Sequence, residues 1–313
     1  MDEFSRRDLT KQIEAARPPR AIVDPWRPYL FFVESEYSRA GRLEPVATLF
    51  LTNRECPFRC VFCDLWKHTT TTTVPLGAIP AQIDFALAQL PPAAHIKLYN
   101  SGNFFDVQAI PAADHPAIAA RLQTFQTVIV ENHPRLCGPA CLRFRDGLPG
   151  QLEIAVGLET IHPEVLPRLN KQMTVADFDR AAEFLQQAGI DLRVFVLLRP
   201  PGLSEQEGVD WAVRSVEHAF RRGARCVAII PVRAGNGILD QWQDRGLFAP
   251  PGLRALEQAV EAGLQLAAGR VWGDLWDVER LEACQLCRAE RIARVRIMNE
   301  SQQIPSPVHC SCS

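Results

Sequence analysis

Three cysteines, Cys56, Cys60 and Cys63, fall within the stretch ECPFRCVFCDLW. Thiolates are soft metal ligands. The charged amino terminus, MDEFSRRDLTKQIEAARPPR, lacks the apolar stretch of a signal peptide, so the expected setting is the cytoplasm, where thiols stay reduced. A structural zinc ion takes four ligands. Three thiolates at C-x3-C-x2-C spacing suit a [4Fe–4S] cluster instead, each holding one iron and leaving the fourth iron open.

The remaining cysteines are grouped as well. Cys137 and Cys141 form a pair, and Cys284, Cys287, Cys310 and Cys312 form two pairs near the carboxyl terminus. Paired cysteines at that separation signal a metal. A zinc ion or a second [4Fe–4S] cluster fits them, and the second cluster is preferred because one cluster is already implied in the same chain. His309, beside Cys310, reads as an exposed loop residue. Cys226 stands alone.

These groups need a scaffold. The chain has 313 residues, 47% of them hydrophobic, enough for one large domain, or for a domain of about 200–250 residues with appendages. Short apolar runs alternate with helical patterns: VATLFLT, IKLYNS, TVIVEN, LEIAVGLET, LRVFVLL and CVAIIPV read as six strands. Strands in continuous apolar runs, separated by helices, predict α/β architecture with a partial parallel (β/α)6 barrel. The expected organisation is an N-terminal extension over residues 1–44, a core over 45–268 and a small Cys-rich C-terminal module over 269–313. Chemistry in such barrels sits at the carboxyl ends of the strands. There lie the cysteine triplet, NSGNFFD, ENHP, GLET, RPPG and PVRAGNG.

The triplet, with Phe62 before its last cysteine and its place after the first core strand, resembles the signature of the radical S-adenosylmethionine superfamily. KLYNSGNFFD, ENHP, VGLET and VFVLLRPPGLSEQEGVDWAV resemble the branch that holds the archaeosine-biosynthesis radical proteins and the Elongator catalytic subunit. The likeness covers most of residues 45–240. It departs from the archaeosine proteins in the shorter cysteine spacing.

The resemblance implies a reductive cleavage of S-adenosylmethionine at the open iron, giving a 5′-deoxyadenosyl radical that abstracts hydrogen from a substrate. It implies an electron donor of the flavodoxin or ferredoxin kind, and a nucleobase or small-metabolite substrate. Asn100, Ser101, Gly102 and Asn103 then fall where the family binds the methionine amine. Glu159 meets a ribose hydroxyl or caps the following helix. Arg199 meets the cofactor carboxylate or is a rim charge. Cys137 and Cys141 donate hydrogen or trap a radical if they face the cavity, and are ordinary buried residues if not.

A formal net charge of -2 gives no global basic field for nucleic acid, although RFRDG, FRRGAR and RAERIARVR carry local charge. No apolar window is long enough to span a membrane. The competing expectation is a non-catalytic iron–sulfur or zinc adaptor of a modification complex.

Overall fold

A computed structural model describes residues 3–312. Eight strands form one sheet: β1 (Leu30–Tyr37), β2 (Leu43–Phe50), β3 (His95–Tyr99), β4 (Thr127–Asn132), β5 (Gln151–Glu159), β6 (Asp191–Leu198), β7 (Cys226–Pro231) and β8 (Arg270–Gly273). Their order in the sheet is their order in the chain. β2 to β8 pair in parallel, and β1 pairs with β2 antiparallel. The helices are α1 (Glu3–Ala16), α2 (Ala78–Leu87), α3 (His115–Arg121), α4 (Pro139–Asp146), α5 (Val165–Arg168), α6 (Val175–Gln187), α7 (Glu205–Arg221), α8 (Ile238–Asp244), α9 (Leu253–Gln265) and α10 (Arg288–Ser301).

The six expected strands are β2 to β7. Two more flank them. β1 escaped detection because LFFVESEY mixes its apolar residues with two glutamates. β8 is only four residues long. Helix boundaries follow local chemistry: α6 and α7 each begin with a capping box, Thr174 with Asp177 and Ser204 with Glu207, which satisfies backbone donors at the first turn.

The strands present two different faces. Leu49, Leu98, Val130, Ile154, Val194 and Val227 belong to the buried apolar layer packed under the helices. Alternate residues point inward, and this interior is not the apolar filling that continuous runs suggest. Lys97 Nζ lies 2.6 Å from Glu36 Oε2, and Arg193 Nη1 lies 2.7 Å from Glu36 Oε1. Arg193 also pairs with Glu153, which meets Arg270 at 3.3 Å. Arg193 covers the ring of Trp272 at 4.6 Å. Buried charges persist only when paired, and here each cation faces a carboxylate. The network lies at the strand beginnings, where a cavity of about 30 Å³ remains. That volume suits water and not a substrate. The sheet therefore offers chemistry at its other end.

Candidate active site

Cys56, Cys60 and Cys63 lie on the loop that leaves β2, each partly exposed. Three parts of the chain hold this loop. Arg17 and Arg20, just after α1, bind the two oxygens of Glu55 at 2.7 and 2.6 Å. Val61 donates its backbone N–H to Leu169 at 3.0 Å, and Asn170 Nδ2 donates to the Arg59 carbonyl at 2.7 Å. Asn236 Nδ2 donates to the Val61 carbonyl at 2.6 Å. Phe62 packs on the apolar cluster that includes Val61, Leu169, Leu197 and Val232. Gly237 (φ 92°) is required beside this assembly, because a Cβ there would overlap the Ala16 carbonyl.

The turn after β3 presses against the loop. Asn103 Nδ2 donates to Cys56 Sγ at 3.2 Å. A Cβ on Gly102 would stand 3.3 Å from Cys56 Cβ, so only the smallest residue fits without displacement. Asn100 is fully buried, and neither its amide nitrogen nor its oxygen has a partner. Ser101 Oγ meets Tyr29 Oη at 3.0 Å. The turn is braced by Glu131, which accepts the backbone N–H groups of Asn100 at 2.7 Å and Gly102 at 3.2 Å. Burial raises the Glu131 carboxyl above its ordinary value against the pull of those N–H groups. Sequence reasoning missed Glu131 as a site residue. Its signal was a carboxylate on the inward side of TVIVEN at the strand's carboxyl end.

Glu159 ends β5 and is buried with Lys171, another residue not foreseen, in an ion pair. A Cβ on Gly157 would overlap both charged groups, which explains glycine inside an otherwise bulky strand. The helix-capping role expected for Glu159 is not found: Glu164 is the N-cap of α5 and Thr174 that of α6. Arg199 ends up tied outward, its Nη1 donating to Glu205 Oε2 at 3.2 Å and to the Pro250 carbonyl at 2.8 Å. Ser101, Glu159 and Arg199 all have positive φ, at 53°, 65° and 53°. Such residues cost on the order of 1–3 kcal/mol each; five others share the conformation elsewhere in the described chain, Asn170, Gln172, Ala267, Asp277 and Gln302, and these three fall at the ends of β3, β5 and β6.

Cys137 and Cys141 follow the carboxyl end of β4. Asn132 shares the helix-facing side of β4 with Val128 and Val130, and its Nδ2 meets Cys137 Sγ at 3.7 Å. Cys141 is fully buried in the apolar layer with Phe144. These contacts match the alternative of ordinary buried residues for Cys141, whereas Cys137 also meets the carbonyl of His133, whose ring stacks on Phe58 of the cysteine loop at 4.0 Å.

Aromatic rings surround the open end. Tyr29 stacks on His68 with centroids 4.6 Å apart, and Phe50 lies 6.3 Å from Trp276. Tyr99 and Phe195 meet edge to face at 6.2 Å. Trp276 remains 54% exposed. The four C-terminal cysteines converge, with all their sulfurs within 4.8 Å of one another.

The residues fit a [4Fe–4S] cluster and an amino-acid ligand. Burial pushes the Cys63 thiol up to about 12 and raises Cys56 and Cys60 as well. Thiolates at such positions need a metal centre to offset their desolvation. The unpartnered amide of Asn100 is a buried donor and acceptor awaiting a polar ligand.

No family model matches the chain. Archaeosine synthase subunit beta of Methanosarcina acetivorans is 26% identical over 277 residues, covering 81% of this chain and 77% of the relative. The same-named protein of Thermococcus kodakarensis is 30% identical over 127 residues, 39% of each chain. Among solved structures, Streptococcus suis SuiB bound to the precursor peptide SuiA superposes with a TM-score of 0.51 at 12% identity, over 77% of this chain. The chain spans about half of that structure, 49% of its length. The cysteine triplet follows the first parallel strand of a sheet of this fold, and the chain is similar over most of its length to archaeosine synthase subunit beta.

Proposed function

We propose that this protein is a radical S-adenosylmethionine enzyme that abstracts hydrogen from a planar substrate, a modified nucleobase or a small metabolite of similar shape. The observation that carries the reading is the cysteine loop pressed against a turn with an unpartnered buried amide at Asn100. Cys56, Cys60 and Cys63 would hold the cluster. Asn100 and the backbone of Ser101 and Gly102 would hold the amino-acid end of the cofactor, and Glu159, oriented by Lys171, its ribose. When bound and reduced, this pair supplies a 5′-deoxyadenosyl radical. Phe62 packs behind the cysteines, and Arg199 fixes the end of β6 through Glu205. The aromatic faces around the mouth, Trp276 foremost, suit stacking on a flat ring. The two archaeosine synthase relatives are named as subunits, which supports a partner chain, and an electron donor of the flavodoxin or ferredoxin kind completes the reaction.

The test is anaerobic reconstitution with iron and sulfide, then S-adenosylmethionine and a reductant. Release of 5′-deoxyadenosine that disappears in Cys60→Ala supports the proposal. A fully loaded protein that cleaves no cofactor, alone or with a co-purified partner and candidate nucleosides, sinks it. That result would favour the second reading, a cluster-bearing subunit without its own chemistry, which the relatives' subunit names support.

A further inference from the structure

We propose that Cys284, Cys287, Cys310 and Cys312 bind one tetrahedral divalent ion of the zinc type rather than a second iron–sulfur cluster, and that this closed site staples the C-terminal tail to α10. The sulfur spacing decides between the two. Cys284 Sγ lies 3.9 Å from Cys310 Sγ, and Cys287 Sγ lies 3.6 Å from Cys312 Sγ. All four ligand atoms fall within 4.8 Å of one another. A tetrahedron with metal–sulfur bonds of about 2.3 Å puts its sulfurs about 3.8 Å apart. In a cubane each thiolate sits on its own iron with the cube between them, which spreads the sulfurs beyond a single ion's shell. The chain itself supplies the contrast: among the described residues, the C-terminal four form the compact group and the three cysteines of the β2 loop do not.

The surroundings are those of a structural site. Cys287 is buried at the start of α10 and receives Arg291 Nε at 3.2 Å. Arg291 also binds Glu257 on α9. One turn further on, Arg294 bonds to Glu257 at 2.9 Å and donates to the carbonyls of Pro305 at 2.8 Å and Ser306 at 3.0 Å. The guanidinium groups thus bind a sulfur ligand and the returning tail at once. They place positive charge beside a centre that four thiolates and a divalent ion would leave negative. Four protein ligands leave no open position, so neither substrate binding nor sulfur donation belongs here. The site stands whether or not the mouth performs the proposed chemistry.

The experiment is metal content of the full-length protein, purified anaerobically and reconstituted, beside a Cys310→Ser/Cys312→Ser variant. About one zinc and about four irons per chain are expected. The variant should lose the zinc and keep the irons and the cluster's absorption spectrum. About eight irons without zinc overturns the proposal, as does a chain that binds no zinc when it is supplied. Because the variant can fail to fold, wild type grown in cobalt provides the second readout. Intense thiolate–cobalt bands of tetrahedral symmetry are expected, and their absence counts against the site.

Discussion

The two cysteine groups differ in what they leave open. The β2 loop carries three thiols, braced by Arg17, Arg20, Asn170 and Asn236 from distant parts of the chain, beside an unpartnered amide. The C-terminal group carries four thiols gathered to the spacing of one ion, with its nearest polar partner, Arg291, already committed to Glu257. The number of ligands separates reactivity from anchoring: a centre lacking one protein ligand keeps a position for a reactant, and a saturated one keeps only its fold. Both centres need pre-placed partners, and positive φ outside glycine occurs in both regions, at Ser101, Glu159 and Arg199 near the open one and at Gln302 at the end of α10.

Replacing one cysteine in each group breaks the comparison most directly. Cys60→Ala should abolish release of 5′-deoxyadenosine, whereas Cys287→Ala should lower the melting temperature and leave cofactor cleavage per folded, iron-loaded molecule intact. Equal loss of cleavage in both would erase the distinction.

Next in size is Lys171→Met, which strands the Glu159 carboxylate in a buried position. Removing one partner of such a pair costs roughly 3–5 kcal/mol, measurable by denaturant unfolding. If Glu159 acts on the cofactor, S-adenosylmethionine affinity falls too, and the double variant Lys171→Met/Glu159→Leu should recover stability without recovering binding.

The sealed base of the barrel is a reference that touches neither centre. Burial alone would raise the Glu36 carboxyl, but Arg193 and Lys97 outweigh it and hold it down to about 2, from an ordinary 4.5. A depressed carboxyl contributes stability that is complete above its unfolded value. That contribution, about 3 kcal/mol, should vanish as pH falls from about 4.5 to about 2. Unfolding midpoints against pH would show it as a shallower slope in that window for Glu36→Gln than for the wild type, since Glu44 and Glu153 are depressed as well and keep titrating.

The smallest effects come from the donors on sulfur. Asn103→Ala removes a bond to Cys56 worth about 1 kcal/mol and should shift the cluster's reduction midpoint while zinc content stays unchanged. Arg291→Ala should do the reverse, weakening zinc retention by about 10–100-fold with an unaltered cluster midpoint.

The sequence by itself determined the alternation of strands and helices, because buried parallel strands need continuous apolar runs and amphipathic helices need their own period. It also singled out the candidate ligands of the proposed cluster, since C-x3-C-x2-C is a local pattern within one loop. It did not reveal β1 or the charged interior, because Glu36, Lys97, Glu153 and Arg193 come from four different strands and no single segment records that they meet. It could not place Cys141 in the apolar layer, since the side a side chain takes depends on how the chain leaves β4. Only tertiary structure decided that Glu131 braces the Asn100 turn, that Lys171 claims Glu159, and that four sulfurs separated along the chain stand one ion's width apart. Such distances are set by the packing of whole elements, which residue spacing does not encode.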